Sequence, residues 1–509
     1  MKYLYLLLFY SITVIGISAQ SKQDYVWLFG VDEETFPLET GYMFNFNKPP
    51  MEVKEHDNNI GIGKANTSIC DEEGDLLMYM NGCAVMNRNF EMMPNGDSLS
   101  YNILWDLANH NCNIGTIGSF QDHLILPDPG KENEFYVIHK PRLYNGNGLQ
   151  DSIPLWYSKV DLELEEGLGD LLLKNQVLDN SRQFLLNYLT AISHENGVDW
   201  WIIQALVDDS LFHTFLIDDD GAKLSHIQNS HHFFTTNHTS ASGTAKFSPD
   251  GTRYAMYNEV DGLLIYDFDR GSGQLTFRER ITPYVHTGES VFCSVEWSPN
   301  SRFIYTASSI FLHQIDLWEE NIQENGVRLI DTYNGTQDPF STNFFMMAQA
   351  PDCKIYMAPQ SGTRSYHVIH KPDELGSDCN FVQNGLKLPQ LSNFGGMPNF
   401  PRFRVDEEEK CNPLLTSIFG NTVFYRRELK IYPSPSDGKY TIEMPDGFSE
   451  GMMSILNMDG QIIRQQEVSN KELLREVDIS SFPRGLYQIE LFPKENIERI
   501  FWGMQVSKI

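Results

Sequence analysis

Basic residues are scarce. The 509-residue chain carries 38 Lys and Arg against 68 Asp and Glu, a formal charge of −30. Such a surface cannot release the counterions of a nucleic acid, and anionic lipid repels it. Apolar runs are short: past the first 19 residues, none approaches the ~20 residues needed to cross a bilayer. Cysteine is sparse, seven in all, and no CxxC pair occurs, which removes zinc ribbons and thioredoxin-like redox motifs. Gly-x-Ser-x-Gly, HExxH and the P-loop are absent, and Gly61-Ile-Gly63 lacks the rest of a dinucleotide fingerprint. What is present is ample apolar content, 41 % of residues. That excludes a disordered chain, and the length supports a large core and two or more domains.

The first 19 residues read Met1-Lys2, an uncharged apolar stretch from Tyr3 to Ile17, then Ser18-Ala19 before Gln20. One positive charge, an apolar centre and a small residue at the cut make a secretory signal peptide over residues 1–19; a membrane anchor is the alternative. A cleaved signal leaves a mature chain with no transmembrane segment. Export permits disulfides, yet seven is odd, so at least one thiol stays unpaired within the chain. Cys70 and Cys83 flank a predicted hairpin and are the best single pair; the alternative is two small buried residues in β-structure.

A repeat runs through the middle of the chain. Its unit is a short apolar strand, a turn of Pro, Asp, Asn or Gly, then a strand rich in aromatic and β-branched residues. The clearest copy is Ala245-Lys-Phe-Ser-Pro-Asp-Gly251 followed by Arg253-Tyr-Ala-Met-Tyr257, and five others place turns near 73, 129, 196, 300 and 352. Intervals of 50 to 67 residues suit a four-stranded propeller blade with loops. Around residue 250 a whole blade is legible: Ala245–Phe247, Tyr254–Tyr257, Leu264–Phe268 and Leu275–Arg280. Two fragments remain. Tyr25–Gly30, Tyr42–Phe46 and Met51–Lys54 read as three strands, and Gly396–Phe403 reads as one. Together they predict a seventh blade closed by both ends of the domain, which removes an exposed sheet edge. The expectation is an all-β, seven-bladed β-propeller over residues 24–405, six blades being the alternative.

Trp27-Leu-Phe-Gly30, Ile69-Cys-Asp-Glu-Glu-Gly-Asp-Leu-Leu-Met-Tyr79 and Met93-Pro-Asn-Gly96 resemble the opening of secreted bacterial WD-repeat-like propellers. His367-Val-Ile-His-Lys-Pro-Asp-Glu-Leu-Gly376 and Gly396-Met-Pro-Asn-Phe400 resemble their close. The resemblance implies the fold and brings no activity with it.

Arg404-Val-Asp-Glu-Glu-Glu-Lys-Cys411 opens a charged, polar linker expected over residues 406–428. Short alternating strands then follow, broken by Pro-Ser-Asp-Gly, Met-Asp-Gly and Pro-Arg-Gly turns, and they predict a small antiparallel β-sandwich over residues 429–509. Tyr432-Pro-Ser-Pro-Ser-Asp-Gly438, Asp459-Gly460, Phe482-Pro-Arg-Gly-Leu-Tyr487 and the late Lys508 closely resemble the type A C-terminal sorting domain of type IX secretion substrates. Ser434 stands for the family's Asn and Phe482 for its Leu, and one Lys replaces a basic cluster at the end. The resemblance implies that Pro433, Pro435, Gly438, Asp459, Gly460, Gly485, Tyr487 and Lys508 carry the sorting signal. It implies as partner the outer-membrane machinery of type IX secretion, reached through the periplasm of a Gram-negative bacterium. The module would be removed in the linker, leaving the cargo secreted or on the cell surface.

Chemistry is thin. The Asp-box of sialidase-like propellers is missing. His226, His231, His232 and His238 fall within thirteen residues of a connector between blades, so His231, His232 and His238 are candidate ligands for a transition metal; a polar surface loop is the plainer reading. Asp218-Asp-Asp-Gly221 reads as a hairpin turn rather than a calcium loop, and Trp200-Trp201 as blade packing rather than a sugar platform. No cofactor is implied. The expectation is an exported binding or interaction protein that recognises a protein, glycan or small ligand at one propeller face. A propeller hydrolase or lyase acting on an extracellular glycan or small substrate is the alternative.

Overall fold

The computed structural model describes residues 21–30, 41–47, 50–62, 64, 66–100, 119–141, 143–144, 150–234, 243–283, 292–392, 395–405, 407, 411, 425–445, 448–457, 462–469, 474–494 and 500–508. The signal peptide expected at residues 1–19 lies outside them. No helix among the described residues is long and apolar enough to cross a membrane.

Each turn in the repeat closes an antiparallel hairpin. Thr244–Phe247 pairs with Arg253–Asn258, then Gly262–Asp269 and Gln274–Ile281 complete a four-stranded meander, within one or two residues of the strands read from sequence. The turn chemistry is local. Gly251 adopts φ +71° and donates its N–H to Ser248 O at 2.9 Å, while the Asp250 carboxylate accepts from the Ser248 hydroxyl and the Thr252 N–H. Ser301 and Cys353 take the same positive φ in the next two copies.

Among the described residues, seven such meanders follow one another, three-stranded in the first two and four-stranded in the other five. Their first strands are buried at nearly every position, as in Thr67–Cys70, Thr190–Ser193 and Cys293–Trp297, whereas last strands such as Val327–Thr332 are largely open. Neighbouring first strands lie against each other, and apolar clusters fill the space between successive sheets. Burial that falls from first strand to last around a common centre is the arrangement of a propeller, so the fold is an all-β propeller.

One strand is not where the sequence reading puts it. Residues 396–403 do not join the sheet of Val26–Phe29, Gly41–Asn45 and Glu52–His56; apart from a parallel bridge between Arg402 and Ile192, they form no ladder. Pro398 and Pro401 explain this: three residues apart, they face opposite sides of a strand, so even an edge strand would lose a ladder N–H. The outer strand Glu52–His56 pairs instead with Tyr425–Glu428, within the segment expected to be linker.

That strand starts the C-terminal module. One of its sheets comprises Tyr425–Glu428, Ile500–Lys508, Gly485–Pro493, Glu450–Leu456 and Ile462–Ser469; the other comprises Ile431–Tyr432, Lys439–Glu443 and Leu474–Asp478. Ile431, Tyr440, Ile442, Met453, Ile455, Ile489 and Leu491 are buried in their shared core, making the predicted sandwich.

Candidate functional site

The segment 396–405 occupies the propeller axis and bonds or packs against the first strand of each of the seven sheets or the residues leading into it. Asn399 is the hub of its first half. Its N–H donates to Asn66 O at 3.0 Å, its carbonyl accepts from the Thr67 hydroxyl at 2.8 Å, and its side-chain amide donates to His123 O and Leu189 O at 3.0 and 2.9 Å. Gln121 completes the knot, bonding Asn399 Oδ1 and bracketing both backbone groups of Ala245. Phe400 packs on Trp27 and Phe403 on Trp200.

Arg402 is the hub of the second half. Its N–H donates to Ala191 O at 3.0 Å; Nε donates to Phe247 O and Nη1 to Gln349 Oε1, both at 2.8 Å, and Nη2 pairs with Glu296. Arg404 then forks onto Asp24, with Nη2 2.7 Å from Oδ2. Beside this chain of ion pairs lies Lys246, which burial pulls below the usual lysine range; Glu296 opposes that shift and Arg402 adds to it. A disulfide between Cys353 and Cys411 fastens the chain just beyond the axial segment to the turn of the last sheet.

Nearby, burial holds two histidines neutral. His123 and His139 face each other across neighbouring strands, lowered to about 4 and about 3. His139 is held between the Ser100 and Ser158 hydroxyls. The Asp122–Lys140 pair, 3.1 Å apart and fully buried, ties the loop before His123 to Leu185 O.

Of the candidate metal ligands, His231 and His232 are described. His231 is exposed at φ +56°, while its neighbour His232 pairs with Asp261 Oδ1 at 2.5 Å; His238 lies outside the described residues. His226 stands over the Trp201 ring. Among the described residues, the one close group of metal-ligating types is Asp218, Asp219 and Asp220, in a hairpin turn where Lys223 already lies 2.5 Å from Asp218. Trp200 and Trp201 are buried in two different inter-sheet clusters, as core packing requires.

The expected disulfide needs correction. Cys70 is a buried free thiol, and Cys83 is disulfide-bonded to a partner outside the described residues. The hairpin register gives the reason. Cys70 pairs with Leu76, whereas Cys83 follows Met80, the partner of Thr67, so the two cysteines sit at opposite ends of the hairpin. That is about 10 Å along the strands, too far for a disulfide.

In the C-terminal module, the described residues of the expected sorting signal gather at one end. Ser436 N–H donates to Ser507 O, its hydroxyl accepts from Gly438 N–H, and Gly438 O accepts from Ile479 N–H at 2.7 Å. Lys508 Nζ donates to Ser480 O at 2.7 Å and to Phe482 O, while the Tyr487 hydroxyl donates to Pro483 O at 2.7 Å. A Cβ on Gly438, at φ +104°, would meet Ser480 Cα at 2.8 Å and Lys508 Cε at 3.0 Å. Pro433 and Pro435 begin this corner and Gly485 pairs with Lys508; Asp459 and Gly460 lie outside the described residues.

The axial segment is what sequence reading missed. Its signal was present in the two prolines three residues apart, which take the ladder N–H from both sides of a strand.

Residues 430–499 match the secretion system C-terminal sorting domain. No curated protein matches the chain. Among solved structures, a proposed 6-phosphogluconolactonase of Bacteroides fragilis is 11 % identical, with 72 % of this chain and 97 % of that one covered at a TM-score of 0.41. A functionally unknown protein of Desulfotomaculum acetoxidans is 13 % identical, with 74 % and 99 % covered at 0.38. PorZ, a surface component of the type IX secretion system of Porphyromonas gingivalis, is 10 % identical, with 92 % and 67 % covered at 0.29. At such identities and scores these likenesses say nothing of activity. The chain is a β-propeller protein that carries a type IX secretion C-terminal sorting domain.

Proposed function

We propose that the protein is carried across the outer membrane by type IX secretion, with the periplasm as its intermediate station, and works outside the cell as a binding module. In this reading residues 1–19 are the signal peptide, residues 24–405 a seven-bladed propeller, and residues 429–509 the removable address. The matched sorting domain supports a secreted or cell-surface destination in a member of the Bacteroidetes.

The observation that favours binding over hydrolysis is the filled axis. In a propeller hydrolase, catalytic groups from several blades converge there. Here the Arg402 and Arg404 guanidiniums are bonded to Glu296 and Asp24, so the axial carboxylates hold the chain's own cations. The remaining face is a rigid scaffold for recognition.

Removing residues 430–509 tests delivery. The truncated protein is expected in the periplasm, protected from protease added to intact cells, while the full chain is degraded. Normal surface exposure of the truncated form would overturn the reading.

A further inference from the structure

The cleft beside the axial segment is lined by a buried amide donor without an acceptor and by a lysine whose nearest anion is out of hydrogen-bond reach. Its walls include Asp24, Lys246, Glu296, Gln349, Arg402 and Arg404, around a cavity of about 40 Å³. Both arginines are committed, Arg402 to Phe247 O, Gln349 and Glu296, and Arg404 to Asp24 and Ser21 O. Glu407 acts electrostatically on Arg404 and accepts from Ser21 N–H.

Gln349 Oε1 accepts from Arg402, which fixes the orientation of the amide: flipped, it would set donor against donor. Its Nε2 is buried and has no acceptor. Lys246 is 7 % exposed, and its nearest anion is Glu296 Oε2 at 3.9 Å, beyond hydrogen-bond reach. Glu296 Oε2 instead accepts from the Gln349 backbone N–H at 3.2 Å, so this one carboxylate touches both residues that carry the donors. A buried amide donor is rarely left unspent, and an acceptor entering the cleft would serve it and Lys246 together.

We propose that this cleft is a carboxylate-binding site, one ligand oxygen accepting from Lys246 Nζ and the other from Gln349 Nε2. A planar monoanion with two oxygens matches one cationic and one neutral donor. A phosphate dianion does not, because Glu296 and Asp24 line the same walls and repel the second charge. Phe400 and Pro401 also line the cleft and offer the rest of the ligand an apolar surface. This proposal rests on the reading of the propeller as a binding module and names the chemistry of its ligand.

Saturation-transfer NMR on the full chain tests it, with acetate, glucuronate, glucose and inorganic phosphate as probes. Acetate and glucuronate are expected to bind and glucose not to. Tighter binding of glucuronate than of acetate identifies an acidic sugar as the better ligand; equal binding identifies the bare carboxylate. Gln349→Glu keeps the acceptor for Arg402 and removes the donor, so it should weaken binding at least tenfold with the fold intact. Lys246→Met should do the same and Lys246→Arg should restore it. Binding of phosphate alone, or unchanged carboxylate binding by Gln349→Glu, would overturn the site. If none of the four probes binds while the chain still reaches the cell surface, the site fails and the delivery reading stands.

Discussion

The propeller and the C-terminal sandwich are both all-β, yet they are held closed in opposite ways. The propeller draws one late segment through its axis, where Asn399 and Arg402 bond to residues more than a hundred positions away in sequence. The sandwich is pinned at its corner by its own last residues, Ser507 and Lys508, reaching turns within the same module. Charge and histidine divide the same way. Residues 429–509 hold 9 Lys and Arg against 12 Asp and Glu and no histidine, so nearly all of the acidity and all 14 histidines belong to the rest of the chain. The two parts share one sheet through the Glu52–His56 and Tyr425–Glu428 pairing, so what this difference predicts is a contrast in their response to acid.

The comparison breaks most visibly in acid. Burial lowers His123, His313, His367 and His370 to about 4 and His139 to about 3. The native state therefore binds fewer protons than the unfolded chain below about pH 6.5. Stability is complete above that pH and is lost as pH falls toward 4, at about 1.4 kcal/mol per pH unit for each histidine. Thermal unfolding followed from pH 7 to pH 4.5 should show the propeller transition collapsing while the sandwich transition scarcely moves. Parallel shifts of both would contradict the division.

Arg402→Ala comes next. It removes three side-chain hydrogen bonds and leaves Glu296, 1 % exposed, with Lys246 at 3.9 Å as its remaining cation. Urea denaturation should register a loss of about 3–5 kcal/mol in the propeller and none in the sandwich. Lys508→Met is the mirror test: losing the bonds to Ser480 O and Phe482 O should cost the sandwich about 1.5–3 kcal/mol and spare the propeller. The smallest effect is expected from Gly251→Ala. There φ is +71°, and a Cβ would lie 2.5 Å from Val405 Cγ1, at the end of the axial segment. A loss of about 1–2 kcal/mol in the propeller midpoint checks it.

Local chemistry made most of the fold legible. Turns such as Ser248-Pro-Asp-Gly251 and the alternation around them mark six of the inner hairpins, and the Pro, Gly and Tyr signature of the tail marks the sorting module. The axis was not legible, because the partners of Arg402 come from three different sheets and no spacing in the chain announces them. The pairing of Cys70 failed for a related reason: proximity in sequence says nothing of which end of a hairpin a side chain occupies, and the register decides it.

The central claim is that residues 396–405 form the axis of the propeller rather than one of its strands. Hydrogen exchange by mass spectrometry on the full chain tests this directly, through the amides of Asn399 and Arg402, which are bonded to Asn66 O and Ala191 O. The account predicts that the peptide covering these residues exchanges as slowly as the inner strand Thr244–Phe247. Exchange at the rate of an open chain would contradict it.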